Sequence, residues 1–128
     1  MQLLLDTNAF VWLLDNNANL GLKARRVIDD AENVYVSCAS ILELTIKSML
    51  GKIEIPESLA NDAKTTGLKI IDFKIDHVLN LQLFPDLVRH DPFDRMILAT
   101  AKSENFKLLT SDKFIISLNL DYVINAKL

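Results

Sequence analysis

The chain predicts an α/β fold of three layers, with helices on both faces of a central, mainly parallel sheet of four to five strands. Two observations carry that expectation. Short apolar or β-branched runs alternate with amphipathic stretches along the whole sequence, an order that builds parallel strands joined by right-handed crossovers. The 128 residues, 50% apolar and 24% charged, also show no repeat, low-complexity tract or linker-like run. A single domain over 1–128 with a sizeable core is therefore expected.

Taken in order, Gln2 to Leu5 is a short apolar strand, followed by a helix from Thr7 to Leu14. A second helix spans Leu22 to Ala31, with Lys23, Arg25, Arg26, Asp29 and Asp30 on its wet side. Val34 to Val36 is β-branched and aromatic and reads as a strand. Ser37 can cap a helix from about Cys38 to Leu50, and Gly51 stands where a left-handed C-terminal cap is wanted. Pro56 opens a helix that Gly67 closes. Leu68 to Phe73 is a strand, 76–83 a helix, and 84–90 a loop. Asp91-Pro92-Phe93-Asp94 is a strong helix start, with Asp at the N-cap, Pro at N1 and a carboxylate at N3. That helix runs to about Glu104. Phe106 to Thr110 is a strand, Asp112 to Leu118 a short helix, and Tyr122 to Ile124 the last strand.

Several function classes are excluded. Gly21, Gly51 and Gly67 stand far apart, which rules out a P-loop and a dinucleotide fingerprint. No GxSxG elbow is present. Cys38 is the only cysteine, so an intramolecular disulfide and a Cys-based zinc site are both out. The start of the chain carries no basic leader, and Asp6 and Asp15 break its apolar run short of the ~20 residues that a membrane span needs. A cytoplasmic protein without membrane contact is expected. Net charge is −3 at pH 7, which by itself argues against a nucleic-acid partner.

The carboxylates carry the chemistry. Asp6 follows the first strand and Asp112 follows the Lys107–Thr110 strand, so both stand at the same rim of the sheet, where open α/β folds bind ligands. Each could also be a plain N-cap. Glu43 has Ala39, Ile46 and Leu50 at helical spacing, an acid inside an apolar stripe, with a surface pair to Lys47 as the alternative. Asp94 faces Ile97, Leu98 and Ala101 in the same manner, or serves the helix N-terminus; Asp91 is explained by its N-cap role. Four carboxylates at one rim repel one another unless a hard divalent cation compensates them. Such an ion activates water and neutralises charge on a phosphoryl oxygen, so the constellation predicts metal-dependent hydrolysis of a phosphodiester.

At these residues the sequence resembles the PIN-domain ribonucleases, and among them the VapC-type toxins of toxin–antitoxin pairs. Leu3-Leu4-Leu5-Asp6-Thr7-Asn8, Ser40-Ile41-Leu42-Glu43-Leu44, His90-Asp91-Pro92-Phe93-Asp94-Arg95 and Leu109-Thr110-Ser111-Asp112 carry the resemblance, which covers essentially the whole chain. The family's acidic quartet falls on Asp6, Glu43, Asp94 and Asp112. The resemblance implies a PIN fold, Mg²⁺ or Mn²⁺ dependence, RNA endonuclease activity, a homodimer, and a cognate antitoxin that covers the site. Two rivals are a phosphatase of the haloacid dehalogenase type and a non-catalytic interaction module. The first wants a second Asp two residues after Asp6, where this chain has Asn8.

Thr7, Asn8, Thr110 and Ser111 are short polar groups beside the acids, suited to hydrogen-bonding a carboxylate or a metal-bound water, or to ordinary turn chemistry. Arg89, His90 and Arg95 are candidates for contact with the RNA backbone. With Lys47 and Lys113 they offer the local positive potential that an acidic average does not. His77 has no acidic context and reads as structural. Phe10, Trp12, Leu13, Leu14, Leu42 and Ile46 are expected in the core, with a partner groove as the alternative.

Overall fold

A computed structural model of the chain describes residues 1–56 and 58–128. Strand β1 (Gln2–Leu5) leads into helix α1 (Thr7–Leu14), followed by α2 (Leu22–Asp30), β2 (Asn33–Ser37), α3 (Cys38–Met49) and α4 (Leu59–Thr65). Then come β3 (Lys69–Ile71), α5 (Ile75–Asn80), α6 (Pro92–Glu104), β4 (Lys107–Thr110), α7 (Lys113–Ser117) and β5 (Val123–Asn125). The five strands run in the order β3-β2-β1-β4-β5, and every neighbouring pair is parallel. Leu5 pairs with Val36 on one side and Leu109 on the other, which makes β1 the centre of the sheet. Its unbroken leucine run fits a parallel strand covered on both faces.

The period of two sorts the strands between two cores. Leu3, Leu5, Val36 and Leu109 face a cluster with Ala9 and Phe10 of α1, Ala24 of α2, Leu44 of α3 and Ala63 of α4. Leu4 and Leu108 face the opposite one, with Ile97, Leu98 and Ala101 of α6 and Ile115 of α7. These are the three expected layers. Outward growth from β1 to β3, then a return to β4 and β5, puts the point of reversal between β1 and β4. No helix among the described residues is long and apolar enough to cross a membrane.

The structure departs from the sequence reading in places with identifiable causes. The strand expected over 68–73 shortens to β3, because β2 offers it only Tyr35, Val36 and Ser37 before Ser37 turns to cap α3. The helix expected from Pro56 begins at Leu59, whose N–H donates to Pro56 O in a preceding turn; Glu57 lies outside the described residues. The helix expected over 76–83 starts at Ile75, where Lys74 N–H donates to His77 Nδ1, and tightens to a 3₁₀ turn over Leu81–Leu83. A second 3₁₀ turn, Pro85–Leu87, interrupts the expected loop and buries Leu87. Arg25 is not on the wet side of α2. Its guanidinium turns in and donates to Leu20 O, Asn17 O and Asn16 Oδ1 at 3.1, 2.7 and 3.0 Å, holding the loop between α1 and α2.

Among the apolar side chains expected inside, Phe10 is buried, and Trp12, Leu13 and Leu14 pack against the first core. Leu42 and Ile46 instead stand exposed on the outer face of α3. Gly51 has φ +72° just past α3, the left-handed turn that its position suggested.

Gly21 is a close-approach glycine. Its N–H donates to Ala126 O, and a Cβ built on it would stand 2.2 Å from Leu128 C. The obstacle is backbone, which does not swing aside. Gly21→Ala is expected to lower stability by about 1–3 kcal/mol, the usual cost of overpacking, measured by urea unfolding followed by circular dichroism.

Candidate active site

The cleft forms where strands hand over to helices. Asp6 ends β1 and caps α1, its Oδ1 accepting from Ala9 N at 2.7 Å. Its N–H donates to Leu109 O at 2.9 Å, which locks it beside the end of β4. Thr110 and Ser111 supply two more donors, Oγ1 at 2.7 Å and N–H at 2.9 Å, both to Asp6 Oδ2. Asp112 caps α7 through Ile115 N, and Asp91 caps α6 through the N–H groups of Phe93 and Asp94. Glu43 sits one and a half turns into α3 after the Ser37 cap.

Asp6, Glu43, Asp94 and Asp112 line one polar cleft of about 190 Å³, together with Thr7, Asn8, Lys47, Asp91 and Ser111. It opens beyond the carboxyl ends of β1 and β4, at the reversal of strand order. A larger hollow of about 440 Å³, bounded by Val11, Leu14, Leu44, Ile55 and Leu59 with Asp15, Glu54 and Asp62 at its wall, is mainly apolar among the described residues. The chemistry belongs to the smaller cleft.

Glu43 is buried, for a reason other than its apolar stripe. Of the residues expected to flank it inside, Ile46 and Leu50 are exposed. The glutamate turns toward α1 instead, where Thr7 Oγ1 donates to Oε1 at 2.7 Å and Ser40 Oγ stands 3.0 Å from the same hydroxyl. Lys47 Nζ donates to Oε2 at 2.6 Å, so the pair weighed against a functional role exists, but inside the cleft. Asn8 Nδ2 donates to Ser111 Oγ at 3.2 Å and ties the two strand ends together.

The His90 side chain turns to the acids. Its Nε2 lies 2.8 Å from Asp112 Oδ2 and 3.9 Å from Asp94 Oδ2, and its ring stacks on Phe114 at 5.4 Å. Arg89 is exposed on the preceding loop. Arg95 is half-buried one position past Asp94 and outside the cleft wall, with Nε lacking a hydrogen-bond partner among the described residues. Sequence reasoning gave Ser40 and Phe114 no role of their own, and it left Asp91 a capping role alone. The spacing of Ser40, Glu43 and Lys47 along one helical face was the available signal.

Charge is unevenly compensated here. Burial raises the Asp6 carboxyl above its ordinary range, against the pull of its three donors. For Asp112 burial also pushes upward, but the Ile115 N–H and His90 outweigh it and hold the group below its usual value. Lys47 is raised by its hydrogen bond to Glu43. Asp94 is pushed up to about 7, by burial first and then by the charges of Asp112, Asp91, Asp6 and Glu43. Among the described residues no protein N–H or cation reaches hydrogen-bonding distance of its carboxylate; His90 is the nearest base. One ligand atom each from His90, Asp94 and Asp112 lies within 4.8 Å of the other two, close enough to share a cation. The surroundings are rich in carboxylate oxygen, the donor type that hard divalent ions prefer.

Residues 3–118 match the family model described as PIN domain. A search of curated proteins found no match. Among solved structures, the fold is similar to VapBC2 from Rickettsia felis bound to a DNA fragment from its promoter, at TM-score 0.67 and 20% identity over 97% of this chain and 96% of that one. A toxin–antitoxin complex from Klebsiella pneumoniae gives TM-score 0.65 and 17% identity, with 96% of each chain covered. FitAcB from Neisseria gonorrhoeae gives 0.63 and 18%, with 97% of each covered.

Because folded Asp94 holds its proton to about pH 7 and an ordinary Asp only to 3.8, the folded state binds more protons between these values. Stability therefore falls as pH rises through that window, and the full penalty stands above it. Asp94→Asn keeps the shape without the charge. In metal-free buffer it is expected to raise Tm at about pH 8, with the gain fading toward pH 4, measured by thermal unfolding of both proteins across that range.

Proposed function

This chain belongs to the PIN domain family, and from that membership and the cleft we propose that it is a metal-dependent endoribonuclease, the toxin of a toxin–antitoxin pair. The observation that carries the proposal is the convergence of Asp6, Glu43, Asp94 and Asp112, from four separate segments, on one small polar cleft. Asp94 and Asp112, with His90 beside them, are the groups that would hold Mg²⁺ or Mn²⁺ directly or through water; Asp6 and Glu43 complete the acidic wall. A bound ion of this type lowers the pKa of water and neutralises charge growing on a phosphoryl oxygen.

The protein's own groups do the positioning. Ala9 N, Thr110 Oγ1 and Ser111 N fix both oxygens of Asp6, so its carboxylate is oriented before substrate arrives. Thr7 and Lys47 do the same for Glu43. Asn8 and Ser111 set the distance between the ends of β1 and β4. Arg89, exposed on the loop before α6, is the candidate cation for an RNA backbone, and Arg95 lies outside the cleft wall. His90 pairs with Asp112 at the edge of the same cleft.

A protein partner is part of the same reading. The similar structures named above include toxin–antitoxin complexes, and exposed Leu42, Ile46 and Met49 on α3 offer apolar surface for a homodimer or a cognate antitoxin. We place the protein in the cytoplasm, where its RNA substrate is.

Purified protein is expected to cut structured RNA internally in Mg²⁺ and to lose the activity in EDTA. Thr7→Val, which leaves Glu43 short of one donor, should slow cleavage by about 10–100-fold, the range for partners of metal ligands. Asp94→Asn should cost more. Gel analysis of end-labelled RNA checks all three, and cleavage undiminished in Asp94→Asn would remove the proposal.

A further inference from the structure

Among the described residues of the cleft wall, Lys47 is the one cation, and its position divides the site in two. Lys47 Nζ stands 2.6 Å from Glu43 Oε2, while Thr7 occupies Oε1. Both oxygens of this buried carboxylate are therefore already engaged, and its charge is matched by an ammonium on the same helix, one turn away. On the other side, His90, Asp94 and Asp112 gather within 4.8 Å, and among the described residues no lysine or arginine forms an ion pair with either acid. Asp94 is the acid that the protein itself leaves without a donor, among the described residues. A carboxylate-rich site can be neutralised by two divalent ions, or by one ion and a fixed protein cation.

We propose that the Lys47 ammonium is the fixed cation of the Glu43 half of the cleft, so that the protein takes up one divalent ion, on the Asp94–Asp112 side. The inference rests on the reading of the cleft as a metal site. A second ion at Glu43 would have to break a close pair whose acid is buried, leaving the ammonium beside a dication. The arrangement also gives Lys47 a role that a surface pair does not have: it sets how many ions the protein binds.

The test counts ions rather than turnover. Mn²⁺ is titrated into the full-length protein and the free ion is followed by electron paramagnetic resonance. Wild type and Lys47→Arg, which keeps the charge, are expected to bind one Mn²⁺; Lys47→Met and Lys47→Gln are expected to bind two. Circular dichroism of each variant selects those that are folded, and wild type alone already decides one arm. Two ions on the wild-type protein overturn the inference while leaving the metal-dependent reading intact. No Mn²⁺ on the wild type overturns that reading itself. One ion on folded Lys47→Met or Lys47→Gln, with RNA affinity reduced, makes Lys47 a substrate contact and overturns the inference as well.

Discussion

The rim of the sheet depends on how Asp6 is held. Its carboxylate takes hydrogen bonds from the helix that follows it, from a threonine at the end of β4 and from the backbone just beyond. Hydrogen bonds to a charged group contribute about 1.5–3 kcal/mol each, and this group is buried, so losing one leaves an expensive orphan. The same three bonds join α1, β1 and β4 at the point where strand order reverses. Once that joint is made, Asn8 meets Ser111, Asp112 is set over the mouth of the cleft, and Thr7 is aimed at Glu43. Fold and site share one fastening.

Compensation of charge then varies across a few ångströms. Asp6 has three donors, Glu43 a hydroxyl and an ammonium, and Asp112 an amide and an imidazole. Asp94 is partly buried and has the charges of Asp112, Asp91, Asp6 and Glu43 around it, which is why its proton is held to about pH 7. A sequence selected for stability alone would have put Asn or Ser there. A local cost of this kind at Asp94 is the pattern expected where a ligand completes the electrostatics.

Much of this was readable from residue order because it is local chemistry. Ser37, Asp91 and Asp112 cap the helices that follow them. The leucine run marked β1 as a strand, and strand ends at Asp6 and Thr110 placed two acids at one rim. What escaped was set by distant partners. The length of β3 is decided by where β2 stops, the burial of Glu43 by a threonine 36 residues away, and the direction of His90 by an aspartate 22 residues on. Arg25 was assigned to solvent by its charge, while the carbonyls of a neighbouring loop claimed it. Helical spacing marked Glu43 as a buried acid for a wrong reason, since two members of its supposed apolar face lie in water.

The outermost strands of the sheet, β3 and β5, are three residues long. Lys69 lies exposed at the start of one, and β5 closes on Asn125. Such stubs present few free amides and carbonyls to a passing chain, and their brevity is a known protection against edge-to-edge recruitment. Crowding should not template fibres along this sheet, and assemblies have to grow from helical flanks, where side chains rather than main chain decide who may attach.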